Sequence, residues 1–160
     1  MFDPLLSGQD LNAEKYVADL DNLGSTVWLS ADSLPSTNTT YIDSTELVFP
    51  ALDLAAYKFA GTLWWVSSAT ADIKIRIKVP VGAFGRVRWG DLTLAAEDDV
   101  SDAVEQSFST SGGLEGISPS GFFTVTGGAG SVIVGHAQLT TTASNTLLKM
   151  GSHLTFTRIG

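Results

Sequence analysis

From Ser25 onward, apolar and polar residues alternate with a period of two, the pattern of half-buried strands. The clearest run is Asp72–Val79. Ile73, Ile75, Ile77 and Val79 fall on one side, with Asp72, Lys74, Arg76 and Lys78 on the other. A helix would scatter those isoleucines around its circumference. In Tyr57–Val66, Tyr57, Phe59, Leu63 and Trp65 share the apolar side, while Lys58, Thr62 and Trp64 point outward. Phe84–Trp89 alternates Val87 and Trp89 with Arg86 and Arg88. Shorter strands are predicted at Thr26–Ser30, Glu46–Phe49 (stopped by Pro50), Phe122–Thr126, Ser131–Thr140, Thr146–Met150 and His153–Ile159. The segments between them read as loops: Ser/Thr/Asn-rich up to Tyr41, acidic at Glu97–Ser101, Gly/Ser-rich over 109–121. Short strands with turn signals roughly every 8–12 residues, and no helical pattern between them, predict an antiparallel β-sandwich or barrel. A parallel α/β sheet would need crossover helices.

Residues 1–24 break this rhythm. Asp10 or Asn12 is placed to cap a short helix carrying Tyr16, Val17 and Leu20 on one face, and Gly24 to end it. So short an apolar stripe is marginal alone in water. The expected organisation is therefore a 1–24 arm, with or without that helix, and a 25–160 sandwich domain. The arm folds onto its own module or onto a neighbour.

Composition narrows the function. The formal net charge of −8 lacks the clustered surface Lys and Arg of a nucleic-acid binder. Absence of cysteine removes disulfides, thiolate metal sites and thiol catalysis together. A mean hydropathy of +0.19 is high for a solvated monomer and points to apolar surface used between subunits. The N-terminus has neither the basic region nor the apolar stretch of a signal peptide, and no run approaches the ~18 apolar residues of a membrane span. The expected partners therefore include neither membrane nor nucleic acid.

Chemistry-bearing residues are sparse. His136 and His153 have no further His at metal-ligand spacing, and His136 between Gly135 and Ala137 reads as a packed strand residue. Glu97, Asp98, Asp99 and Asp102 offer carboxylates for calcium but not the spacing of a calcium loop, so a solvated loop is the plainer reading. Gly127-Gly128-Ala129-Gly130 lacks the Lys-Ser/Thr and helix of a phosphate loop. No Gly-x-Ser-x-Gly elbow is present, and a non-enzymatic chain without metal or cofactor is expected. The features left over suit interfaces. Lys74, Arg76 and Lys78, with Arg86 and Arg88 on a nearby strand, would make a basic face that meets carboxylates of the 97–102 segment or of another subunit. A solvated charged face is the plainer alternative. Trp64, on an outward side, is a candidate interface anchor, the alternative being that it covers a loop or the N-terminal arm. Phe2, Leu5, Leu6, Tyr16, Val17 and Leu20 are the arm residues that would dock.

The stretch Leu47-Val48-Phe49-Pro50, Ala56-Tyr57-Lys58-Phe59, Leu63-Trp64-Trp65 and Ala69-Thr70-Ala71-Asp72-Ile73-Lys74 resembles a module common in bacteriophage structural proteins. The closing Ala137-Gln138 … Thr146-Leu147-Leu148-Lys149-Met150-Gly151-Ser152-His153-Leu154 … Arg158 is similar to its usual ending. The resemblance covers residues 45–160. It implies a jelly-roll-like sandwich of the kind found in minor tail and head-associated proteins, often trimeric. From it follow the expectations of a virion location, self-association as a homotrimer, and attachment to a major capsid or tail protein as a decoration or accessory protein. The alternative is a receptor- or carbohydrate-binding domain of a tail fibre or minor tail protein, using loops 30–44 and 109–120.

Overall fold

The computed structural model describes residues 24–90, 96–101 and 103–160. Among them the chain forms strands and no helix: β1 (Ser25–Trp28), β2 (Ile42–Ala51), β3 (Ala56–Val66), β4 (Ile73–Lys78), β5 (Phe84–Trp89), β6 (Ala96–Ser101), β7 (Ala103–Phe108), β8 (Leu114–Ile117), β9 (Ser120–Thr124), β10 (Gly130–Gln138), β11 (Leu147–Leu148) and β12 (His153–Arg158). All pairings are antiparallel. One sheet runs β2-β10-β4-β7; the other runs β1-β12-β3-β9-β5-β6, with β8 and β11 paired along the far half of β3. Successive strands cross between the sheets, except for the β5–β6 hairpin, the β8 insertion before β9, and β11–β12. Set apart from β1, β8, β11 and β12, the remaining strands pair first with last in one sheet and second with second-last in the other. That is the strand order of a jelly roll, as the sequence resemblance implied.

The alternation read in the sequence builds the core. Ile73, Ile75 and Ile77 of β4 are buried against Tyr57, Phe59, Leu63 and Trp65 of β3, Val87 and Trp89 of β5, and Phe123 of β9. Burying each such side chain is worth ~1.5–3 kcal/mol. An aromatic cluster joins the sheets: Phe49 of β2 stacks on Phe156 of β12 with ring centroids 4.2 Å apart, and meets the edge of Tyr57 at 5.2 Å. The Tyr57 hydroxyl accepts the Leu52 N–H at 3.0 Å, so its polar end is satisfied at the rim of the core.

Several expectations change. The strand expected at Glu46–Phe49 runs from Ile42 to Ala51, through Pro50. β2 is a sheet edge, where a residue lacking an N–H costs no ladder bond. The acidic stretch expected as a loop is β6, paired with β5. The Gly/Ser-rich 109–121 segment contains β8, held by its pairing to β3. Asp72 belongs to the turn before β4, with φ of 51°, and its carboxylate accepts the Thr110 N–H at 2.9 Å. Thr146–Met150 shrinks to Leu147–Leu148 because the chain turns at Gly151, φ 87°. The predicted arm, its helix and Phe2, Leu5, Leu6, Tyr16, Val17 and Leu20 lie outside the described residues.

Candidate functional site

The basic residues divide between two faces. Lys74, Arg76 and Lys78 lie on β4, in the β2-β10-β4-β7 sheet, whereas Arg86 and Arg88 lie on β5 in the opposite sheet. The single five-residue face expected from sequence does not form. On the first face the row Asp43–Gly135–Arg76–Glu105 crosses four strands in register. Arg76 donates to Asp43 Oδ1 at 2.8 Å and Lys78 to Asp43 Oδ2 at 3.1 Å. Gly135 makes this reach feasible, since a Cβ there would stand 2.7 Å from Asp43 Oδ1. Burial pushes the Asp43 carboxyl up, but Arg76 and Lys78 together hold it below the usual carboxylate value. The Arg76 guanidinium and Lys74 ammonium also lie over the Tyr41 ring, at 4.2 and 4.9 Å. Burial and the neighbouring Glu105 charge raise the Tyr41 hydroxyl well above its ordinary value. On the second face the register pairs Arg86 with Asp99 and Arg88 with Glu97. On the first face, Arg76 and Lys78 therefore find a carboxylate within this chain.

His136 is a buried strand residue, as its neighbours implied. Its Nε2 lies 3.1 Å from the Leu34 carbonyl and 3.3 Å from Ser33 Oγ. The carbonyl can only accept, so Nε2 carries the proton and is not placed to take one from Ser33. No carboxylate bonds Nδ1. Burial lowers the His136 pKa against the pull of the Leu34 and Thr146 carbonyls, which keeps the ring neutral. His153 bonds the Gly151 carbonyl at 3.1 Å. Among the described residues, no group of three or more His, Asp or Glu is placed to hold a metal.

Trp64 faces outward, as predicted, and is 41% exposed. Its ring lies over Gly116 of β8, where a Cβ would come within 2.4 Å of Cε3. Beside it are exposed Leu114 and Met150, with the Lys149–Asp32 ion pair between Ser30 and Met150 on one flank. Met150 also borders a second depression shared with Trp28, which is 65% exposed. Trp28, Trp64, Leu114 and Met150 thus form one apolar field near the β1 edge. Trp28 was not singled out from sequence. Its signal was present: Val27 and Leu29 are the inward residues of that strand, which turns Trp28 out.

Trp65, the next residue, faces the interior. It lines a cavity of about 720 Å³ with Trp89, Phe108, Gln106, Glu115 and Ile117, at the end of the sandwich where β3, β5 and β7 finish. Phe108 packs on Trp65 and Trp89 at 5.2 and 5.9 Å. Glu115 is the cross-strand partner of Trp65. Its Oε1 accepts from the Ser111 N–H at 2.7 Å and Ser111 Oγ at 2.6 Å. These bonds, from the hydroxyl first, hold the carboxyl below its ordinary value, so Glu115 is ionised. Glu115 passed unremarked in the sequence, because only the unexpected strand β8 turns it inward.

No family model matches the chain, and no curated protein matches it. Among solved structures, a chain in a structure of the infectious bursal disease virus Gx strain is similar, at 11% identity and a TM-score of 0.31. The match covers 85% of this chain and 40% of that one. A likeness so faint adds nothing to what the strand order already shows.

Proposed function

We propose that the chain is a structural protein of a virus particle: a phage capsid decoration or head-accessory protein that assembles as a homotrimer and stabilises the particle surface. The observation that carries this reading is the apolar field of Trp28, Trp64, Leu114 and Met150 on the outside of a jelly roll. Large apolar side chains grouped on a surface favour contact with protein over water, and aromatic anchors dominate the energy of such contacts. The field lies beside the sheet edge at β1. Packing around a threefold would cover field and edge together. The internally paired charges of the β2-β10-β4-β7 face leave that sheet suited to solvent.

The solution mass of the purified chain tests the proposal. Light scattering is expected to give a trimer, and the double substitution Trp28→Ser with Trp64→Ser to give a folded monomer. A wild-type chain that stays monomeric at every concentration excludes a preformed trimer. A trimer untouched by the double substitution moves the interface elsewhere.

A further inference from the structure

The outward side of the larger sheet carries a second group of exposed side chains, remote from the apolar field. Register sets Lys58 of β3, Phe122 of β9 and Arg86 of β5 in one row, and Ala60, Ser120 and Arg88 in the next. Phe122 is 48% exposed. Beside the small Ser120 the sheet has a depression of about 380 Å³, walled by Phe122, Arg86 and Arg88. One aromatic ring and two guanidinium groups around a hollow make a seat for another ring. Rings pack on rings, and guanidinium planes stack on an indole in preference to other aromatics. Trp28 is the most exposed aromatic side chain among the described residues. It cannot fill the hollow of its own chain. β1 is three strands from β9 and four from β5, which is about 14–19 Å at the usual spacing.

We propose that the hollow receives Trp28 of a second copy of this chain, so that the apolar field of one protomer and the Phe122 hollow of the next are two halves of one interface. The inference rests on the homotrimer reading and extends it by naming the second surface. A ring of three identical chains needs two different surfaces on each, because its contacts are heterologous. The field supplies only one of them. Charge agrees with the pairing. Lys58 is exposed beside Phe122, and Glu46 is exposed at the rim of the field, where it accepts from the Ser30 N–H and hydroxyl. Among the described residues neither has an oppositely charged partner. Field against hollow brings the anionic rim to the cationic one. Field against field would oppose Glu46 to Glu46, and hollow against hollow would oppose Lys58 to Lys58.

The test is the solution mass of the full chain across a dilution series, compared with Trp28→Leu, Phe122→Leu and the two combined. Each single substitution is expected to raise the concentration at which the trimer forms by about tenfold or more. The combination is expected to raise it little further than either alone, because both side chains serve one contact. Ser120→Gln, which fills the hollow and touches no core residue, replaces Phe122→Leu if circular dichroism shows that variant unfolded, and the same loss is expected. A wild-type trimer that Phe122→Leu and Ser120→Gln leave unchanged overturns this pairing while the trimer itself stands. Effects of Trp28→Leu and Phe122→Leu that multiply in the combination also overturn it, by assigning the two residues to separate contacts. A wild-type chain that is monomeric at every concentration removes the trimer reading, and this interface with it.

Discussion

At the scale of single residues, neighbouring positions do opposite work. His136 is 1% exposed in a strand whose function is packing, and burial sets its protonation state. Its folded pKa lies below its unfolded value near 6.5. The unfolded chain therefore binds the extra proton first. The contribution of His136 is complete above about pH 6.5 and is lost as pH falls through and below that value, by up to ~1.4 kcal/mol per pH unit. Urea unfolding at pH 7.5 and 5.5 should show lower stability at the acid end, with a smaller difference in His136→Gln. An equal pH dependence in that variant would assign the effect to another group. Gly135, next to it, could not be understood from sequence. Its role is to be absent, so that Asp43 can cross to Arg76, and only the register of β2, β10 and β4 reveals that.

At the scale of elements, the strength of alternation decided what was legible. β4 reads directly because every second residue is Ile or Val, and its inward residues are all buried. Ile75→Ala should cost ~2–5 kcal/mol, seen as a lower urea midpoint with an unchanged slope. A cost below ~1 kcal/mol would mean that the two sheets are not closely packed at β4. β7 and β8 were not legible for the converse reason. Their sequences, AVEQSF and LEGI, offer too few apolar positions to set a period, and it is pairing with β4 and β3 that makes them strands. The cost of missing β8 was functional. Without it, Trp64 read as a lone exposed ring and Glu115 had no place beside Trp65. The basic face failed for a topological reason: consecutive strands β4 and β5 cross from one sheet to the other, so residues close in sequence separate in space.

At the scale of the whole molecule, an antiparallel sandwich followed from composition and rhythm and the jelly roll from the resemblance, while its surfaces followed from neither. The apolar field assembles side chains from positions 28, 64, 114 and 150, which no local pattern connects. If this field is buried between copies, association adds stability by mass action. The melting temperature should then rise with protein concentration across the range in which light scattering shows assembly. It should become independent of concentration when Trp28 and Trp64 are both serine. A concentration-independent wild type would indicate a surface built for a different partner.

The pairing of β1 with β12 also determines when this protein can exist. β12 is the last strand, yet it lies inside its sheet, between β1 and β3. A chain emerging from the ribosome can form the β5–β6 hairpin early, but β1 and one side of β3 wait for His153–Arg158. The facing sheet also waits, because β2 and β4 are joined only through β10. Closure of the roll thus waits until His153–Arg158 has been synthesised. Contacts this distant in sequence place it among folds that form in about milliseconds to seconds, and loss of the final strand would leave β3 and its aromatic face without cover.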